Sequence, residues 1–478
     1  YRKVEAKMNI PIGDLGASST SVVFQSVNDL GSSVGKQSIS YMKLIYPHTL
    51  DFRGGSTFDK FFVSPSITGP MVRLSFNNFI GTGKVIFYEL TNRKRIRVDT
   101  IVGNYNCLIP NSAASKVECL VMFEGDVKNI TSLNPVEGTG TFTDFATSAI
   151  DTAFLIITHP SLLAEANEYS SYRLNGPSNN LQNAIVFNIE DLYDQFSYGI
   201  KKHPYSIRSF IDYIVDTWPS KPNYLFLLGK SIKPSQSRKS SIDFANNLVP
   251  SFGDPSSDVM LTAGLNGTVN DPLIPTGRVA AKNGQEVTWF LNKIRDYENP
   301  PIPNSIAKDE NEWMKKVLHF GGGSNSGEQA GFVGYLDSYK SLIEDTLFGG
   351  DVTSFFKNST APIQSSLADT IKGYIQEGVA LMTFLGHASA TGGFDQNIDD
   401  VSLWPDQEGK YPFLLGLGCH AGDIHLRSAN STSEEYVIHE DKGVIGYLSS
   451  VSLETAFDLN NYAKDFYERL SYKNYGES

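Results

Sequence analysis

Seven runs of apolar residues lacking polar alternation dominate the later part of the chain: AFLIITH (153–159), NAIVFNI (183–189), NYLFLLGK (223–230), WMKKVLHFGGG (313–323), VALMTFLGHAS (379–389), PFLLGLGCHAG (412–422) and KGVIGYLSSVS (442–452). A strand without polar alternation has no face to give to water, so it must be covered on both sides. The segments between the runs supply the covers. PSLLAEANEYSSYRLN, YSIRSFIDYIVDTW (205–218), EVTWFLNKIRDYE, GYLDSYKSLIEDTLF and SSLADTIKGYIQEG place apolar residues at helical spacing. Buried strands alternating with amphipathic helices predict an α/β region built on a parallel sheet.

The first part of the chain obeys a different grammar. TSVVFQSV, SISYMKLIY, KFFVSPS, MVRLSFNNF, GKVIFYELT, RIRVDTIV and VECLVMFEG are short alternating runs broken by Gly, Ser, Asn and Pro. With no helical pattern between them, they predict an all-β sandwich over residues 1–148. NPVEGTGTFTDF (134–145) reads as a linker into the α/β region, and 478 residues fit two or three domains.

Composition narrows the partners. Forty basic residues against 52 acidic give a net charge of −12, and no basic run is interleaved with aromatics. Nucleic acid and anionic lipid are therefore disfavoured as partners. No apolar stretch approaches the roughly 18–20 residues of a membrane-spanning helix. Aromatics at 12% with charged residues at only 19% lean toward an extracytoplasmic protein. The sequence begins at Tyr1 without the pattern of a signal peptide and stops at YKNYGES after a helix-like stretch. We expect a processed piece of something longer.

Only three cysteines occur. Cys107 and Cys119 bracket NCLIPNSAASKVEC and read either as a small disulfide loop or as two unpaired strand cysteines. Cys419 is the odd one out, in LLGLGCHAGD (414–423). Buried packing, metal ligation and nucleophilic catalysis are all open to it. Gly386-His387 closes one strand and Gly418-Cys419 another, and in a parallel sheet both ends point to one edge. A thiolate nucleophile needs an imidazole to take its proton and return it to the leaving amine. The surrounding small residues leave room for a carbonyl to reach main-chain N–H donors.

Other clusters are weaker. Cys419, His420, Asp423 and His425 fall within seven residues, but their spacing matches no standard zinc pattern, so no metal is assigned. Asp254, Asp258, Asp271, Asp395, Asp399 and Asp400 sit in loop-like stretches, either as solvated charge or as ligands of a structural calcium. GGGSNSG (321–327) follows a strand but matches neither Gly-rich phosphate fingerprint. His159, His203, His319 and His439 read as structural.

FLIITHPSLL, YDQFSYGIKKHPYSIRSFIDYI, NYLFLLGK, PSSDVML, IPTGRVAAKNGQEVTWFLNKIRDYE, FLGHAS and LGLGCHAGD occur in an order that resembles the gingipain family of cysteine peptidases. The Gly-His and Cys-x-x-Gly-Asp elements are the specific ones. The resemblance implies a caspase-like catalytic domain of two side-by-side subdomains, 149–310 and 311–478, the second carrying the Cys/His dyad. It implies Cys419 as nucleophile, His387 as general base, the N–H groups of Cys419 and Ala388 as oxyanion hole, and no required cofactor.

Within the family, a β-sandwich ahead of the peptidase domain, with YMKLIYPHTLDF near its start, is similar to PorU-type sortases of the type IX secretion system. Those act at the outer-membrane surface of Bacteroidota, remove C-terminal sorting domains from exported cargo, and join the new carboxyl end to an anionic lipopolysaccharide. Cargo, other secretion components and a lipopolysaccharide acceptor are the partners so implied. Three departures stand out: Ala388 replaces the usual glycine after the histidine, Gly321 occupies the place of a histidine-orienting carboxylate, and the acidic residue that selects basic P1 side chains is not evident. The last favours sorting over trypsin-like digestion. They also leave open a degenerate scaffold, or a plain secreted cysteine protease.

Overall fold

The computed structural model describes residues 7–16, 19–23, 42–47, 49–52, 58–64, 66, 68–111, 116–177, 181–299, 311–345, 347–360, 368–396, 398, 400–427 and 430–475. The chain divides into two compact units, Tyr1–Leu133 and Asn134–Ser478.

The named strands of the first unit pair antiparallel. Strands β1 (Phe58–Val63), β2 (Met71–Phe76), β3 (Val85–Glu89), β4 (Lys94–Ile96), β5 (Val98–Ile101), β6 (Asn104–Pro110) and β7 (Val117–Phe123) form sheets ordered β1-β7-β3-β4 and β2-β6-β5. VECLVMF in β7 buries every second residue, as a sandwich strand should. Its inward side chains join Phe76, Phe87 and Ile109 in one core.

Among the described residues of two expected strands, 20–23 and 42–46 form no strand. Val23, Met42 and Ile45 are exposed there, so the apolar pattern is not matched to a buried face. The remainder of TSVVFQSV and SISYMKLIY lies outside the described residues. NYNCLIP is a full strand paired with both β2 and β5, so of the two readings of Cys107 and Cys119 the unpaired strand cysteines hold.

The second unit starts earlier than the strand grammar suggested, because Phe145 is buried in its core and accepts the Trp218 indole N–H at 2.9 Å on its carbonyl. Strands β8 (Ala153–Thr158), β9 (Asn183–Asn188), β10 (Tyr224–Leu228) and β11 (Thr276–Val279) form a parallel sheet ordered β11-β10-β8-β9. Strands β12 (Lys316–Gly321), β13 (Asp351–Phe356) and β14 (Leu381–Leu385) belong to a second sheet. The short pair β15 (Ala388–Ser389) and β16 (Gly393–Phe394) follows, and β17 (Phe413–Leu417) and β18 (Gly446–Ser449) complete the second sheet as β13-β12-β14-β17-β18, again parallel. Each sheet carries a separate apolar cluster on each face. LMTFL in β14 is buried at all five positions. β11 and β13, short or with polar residues interspersed, were not legible as strands. Among the described residues no helix is long and apolar enough to cross a membrane.

Buried lysines tie the two halves of this unit. Lys230, just beyond β10, forms an ion pair with Glu434 and donates to the Ile424 carbonyl at 2.7 Å. Lys293 is fully buried and donates to the carbonyls of Val437 and Lys442 at 2.6 and 3.1 Å. Lys230→Met would leave Glu434 charged and without its cation. We expect a loss of about 3 kcal/mol or more, read by urea unfolding. Lys230→Met/Glu434→Leu should recover most of it; a single variant as stable as wild type would mean the pair contributes nothing.

Candidate active site

β14 and β17 are parallel neighbours whose last paired residues are Leu385 and Leu417. One step on, the Gly386 N–H donates to the Leu417 carbonyl at 3.2 Å. Two steps on come His387 and Cys419. The register therefore delivers His387 and Cys419 to matching positions past the C-terminal sheet edge, where open α/β sheets hold ligands. Glycine is needed there: a Cβ at Gly418 would stand 2.6 Å from the Ala388 Cβ.

Cys419 is half-buried, and its thiol donates to the Glu454 carbonyl at 3.6 Å. The chain turns at once behind it, with His420 at φ 57°, a left-handed conformation that costs a non-glycine residue energy. Main-chain bonds hold the turn to the segment after β18: His420 N–H to Ser452 O and Gly422 N–H to Ser450 O, both 2.9 Å.

The His387 ring has a carboxylate partner that sequence reasoning missed. Its Nε2 lies 3.0 Å from Glu328 Oε2, and Phe332 packs against the ring. An ionised carboxylate only accepts, so Nε2 carries the ring proton and Nδ1 presents the lone pair. Both side chains stay open to solvent, 53% and 38% exposed.

Glu328 comes from the first turn of the helix Ser326–Ile343, entered straight from the glycines that end β12. Asn325 caps that helix by accepting the Glu328 N–H at 3.0 Å, and the Glu328 carboxylate reaches back to the Ser324 N–H at 2.8 Å. The Ser324 amide, and after it the His387 ring, hold the Glu328 carboxyl below the usual carboxylate range. Gly321 does leave the strand end without a carboxylate; a helix turn supplies one instead. The signal was in the sequence as Asn325-x-x-Glu328, a helix-start pattern.

Ala388 lies in β15, opposite Phe394. The Asp395 N–H donates to the His387 carbonyl at 2.9 Å, so Ala388 and Phe394 form the next, non-hydrogen-bonded pair and the Ala388 amide points away from its strand partner. Its backbone is extended, with no positive φ that would demand glycine. The alanine therefore carries no conformational penalty.

The metal candidates are committed elsewhere. Asp423 pairs with Lys233 at 2.6 Å, buried His425 bonds Ser231, and His420 Nδ1 faces the Val451 carbonyl. Asp258 is gripped by Arg278 at 2.7 and 2.9 Å, Asp400 caps Val401–Leu403, and Asp395 is buried beside Lys357. Asp254 and Asp271 are exposed, and Asp399 lies outside the described residues. Among the described residues no three His, Cys, Asp or Glu side chains converge as a metal site requires.

Cys107 and Cys119 are free and buried. They belong to strands of different sheets, β6 and β7, and burial pushes both thiols up to about 12. Cys419 is the accessible thiol. His159 and His203 serve local turns, accepting the Ser161 and Tyr205 N–H groups. His319 is buried against Tyr467.

The sequence model of peptidase family C25 matches residues 147–478. A complex of Porphyromonas gingivalis RgpB pro- and mature domains shares the fold, with a TM-score of 0.50 and 15% identity over 67% of this chain and 69% of that one. The crystal structure of the Arg-specific cysteine proteinase gingipain R (RGPB) gives a TM-score of 0.48 and 15% identity over 66% of this chain and 68% of that one. No curated protein matches the chain closely enough to count as a relative. The chain belongs to peptidase family C25, the gingipain family of cysteine-type peptidases.

Proposed function

We propose that Cys419 and His387 are the catalytic dyad, with Glu328 orienting the imidazole, and that the enzyme is a transpeptidase that sorts proteins at the cell surface. The observation that carries the dyad is the β14–β17 register, joined to the Glu328 contact that leaves Nδ1 as the basic nitrogen.

Nδ1 takes the thiol proton, and the Cys419 thiolate adds to the scissile carbonyl. The oxyanion is met by the N–H groups of Cys419 and Ala388. The tetrahedral species collapses, the C–N bond breaks, and imidazolium returns the proton to the leaving amine. His387 then deprotonates the acceptor, which displaces the Cys419 thiolate from the acyl-enzyme. Glu328 stabilises the imidazolium formed midway.

For the acceptor, we propose an amine of an anionic lipopolysaccharide at the outer surface of a type IX secreting cell, with cargo delivered by its C-terminal sorting domain and by other components of that system. Support comes from the β-sandwich preceding the family domain and from the absence of an evident acidic P1 selector. The degenerate-scaffold reading loses its two motives: Ala388 is unstrained, and Glu328 fills the role that Gly321 vacates.

Alkylation of Cys419 by iodoacetamide from about pH 5 to about pH 9 tests the dyad. An ordinary thiol has a pKa of about 8.5 and reacts slowly near pH 6; an imidazole-paired one reacts at least about tenfold faster. We expect fast labelling that His387→Ala abolishes. A slow profile, unchanged in the variant, would reject the dyad. For the acceptor, cargo bearing a sorting domain is incubated with an amine; an adduct mass supports sorting, and hydrolysed product alone makes the enzyme a plain protease.

A further inference from the structure

We infer that Asp395 is a positioning residue for the dyad, gripping the main chain of His387 from beneath the site; the inference rests on the dyad reading above. Asp395 is buried, at 9% exposure, and lies in none of the family-like motifs. Its Oδ1 accepts the His387 N–H at 3.1 Å, while its own N–H donates to the His387 carbonyl at 2.9 Å. Both main-chain polar groups of the histidine thus end on one residue. Oδ2 accepts the Gly323 N–H at 2.8 Å and pairs with the buried Lys357 ammonium at 3.2 Å.

The carboxylate therefore joins three pieces that must agree for the site to work. Gly323 begins the turn that carries Glu328. His387 bears the ring that Glu328 meets. Ala388, next in the chain, offers the oxyanion N–H. The packing has formed around this clamp: a Cβ at Gly322 would run into the Asp395 carboxylate, and one at Gly386 would stand 2.6 Å from Oδ1. This also explains Gly322, in a stretch that matches no phosphate-binding fingerprint, and Gly386 before the histidine. Both make space for a carboxylate of the protein itself.

An ionised carboxylate is the only side chain of this size that accepts two amides and an ammonium at once. Asparagine has one acceptor oxygen and turns an N–H toward a donor, so it must release either His387 or Gly323. A displacement of about 1 Å in such a group is enough to slow a reaction by roughly 10²-fold.

The test is the rate of Cys419 alkylation by iodoacetamide near pH 6 in four folded proteins: wild type, His387→Ala, Lys357→Met and Asp395→Asn/Lys357→Met. The double variant avoids stranding a buried cation, and thermal melts certify the fold. Lys357→Met loosens the same buried cluster but keeps both amide bonds, so it should label within about threefold of wild type. The double variant should label about 10- to 100-fold more slowly. Wild-type labelling by the folded double variant overturns the inference, as does equal slowing in Lys357→Met, which would make Asp395 only a stabiliser. If wild type and His387→Ala label alike, the dyad itself is wrong and the positioning role falls with it.

Discussion

His387→Ala is expected to slow peptide-bond cleavage by about 10²–10⁴-fold, the range that a positioned general base contributes. The loss has two parts. Without imidazole no base takes the Cys419 thiol proton, and no acid remains to protonate the departing amine. Glu328→Gln should cost far less, about tenfold. Glutamine still accepts the Nε2–H bond and keeps the tautomer, and the carboxylate it replaces is partly exposed, so solvent already screens its charge on the imidazolium. Single-turnover cleavage of a peptide library by enzyme titrated for reactive Cys419 measures both. Activity of His387→Ala within threefold or so of wild type would remove the histidine from the mechanism. A Glu328→Gln variant as slow as His387→Ala would mean that the carboxylate charge, and not ring orientation, is its main contribution.

Glu328 illustrates what the sequence holds and what it hides. His387 and Cys419 were legible because each ends a buried strand, and parallel strands deliver their ends to one edge. The residues that serve them were not. Glu328 enters from a helix start nearly sixty positions away in sequence, where capping is the local reason for a glutamate and the imidazole contact is a tertiary consequence. Asp395 was read as loop charge because nothing local distinguishes a carboxylate facing water from one buried under a strand end with its own lysine. Burial is a property of the closed fold.

The same limit explains the strand errors. Alternation found β1, β2, β3 and β7, since one sheet face meets the core and the other meets water, but it ran β4 and β5, strands of different sheets, together as RIRVDTIV. It overcalled residues 20–23 and 42–46, whose apolar side chains are exposed. It left β6 open between a small loop and a strand, because Asn and Pro flank the Cys107 and Ile109 that face the core. In the α/β unit the long apolar strands were unmistakable, whereas TGRV in β11 is too short to announce itself. Sheet order was not legible, because no periodicity says which parallel strand sits beside which.

Acid should unfold the α/β unit well before its carboxylates are fully protonated. His319 and His425 are buried, and burial lowers them to about 3 and about 4 respectively; Lys340 adds to the effect at His319, while Asp258 partly opposes it at His425. In the unfolded chain both return to about 6.5. Between about pH 6.5 and pH 4 the unfolded state therefore binds two protons that the native state refuses, so stability falls as pH falls. The contribution is complete above the unfolded value and lost on descent toward the folded ones. Each group gives a slope of about 1.4 kcal/mol per pH unit, together close to 3. Over two units that approaches the whole stability of many domains. Urea midpoints of the α/β unit at about pH 7, 6 and 5 should drop steeply, with the slope roughly halved by His319→Gln, whose amide can still reach the Tyr467 hydroxyl now bonded to Nε2. A flat profile over that interval would mean that His319 and His425 take up protons in the native state, and that water reaches both buried rings.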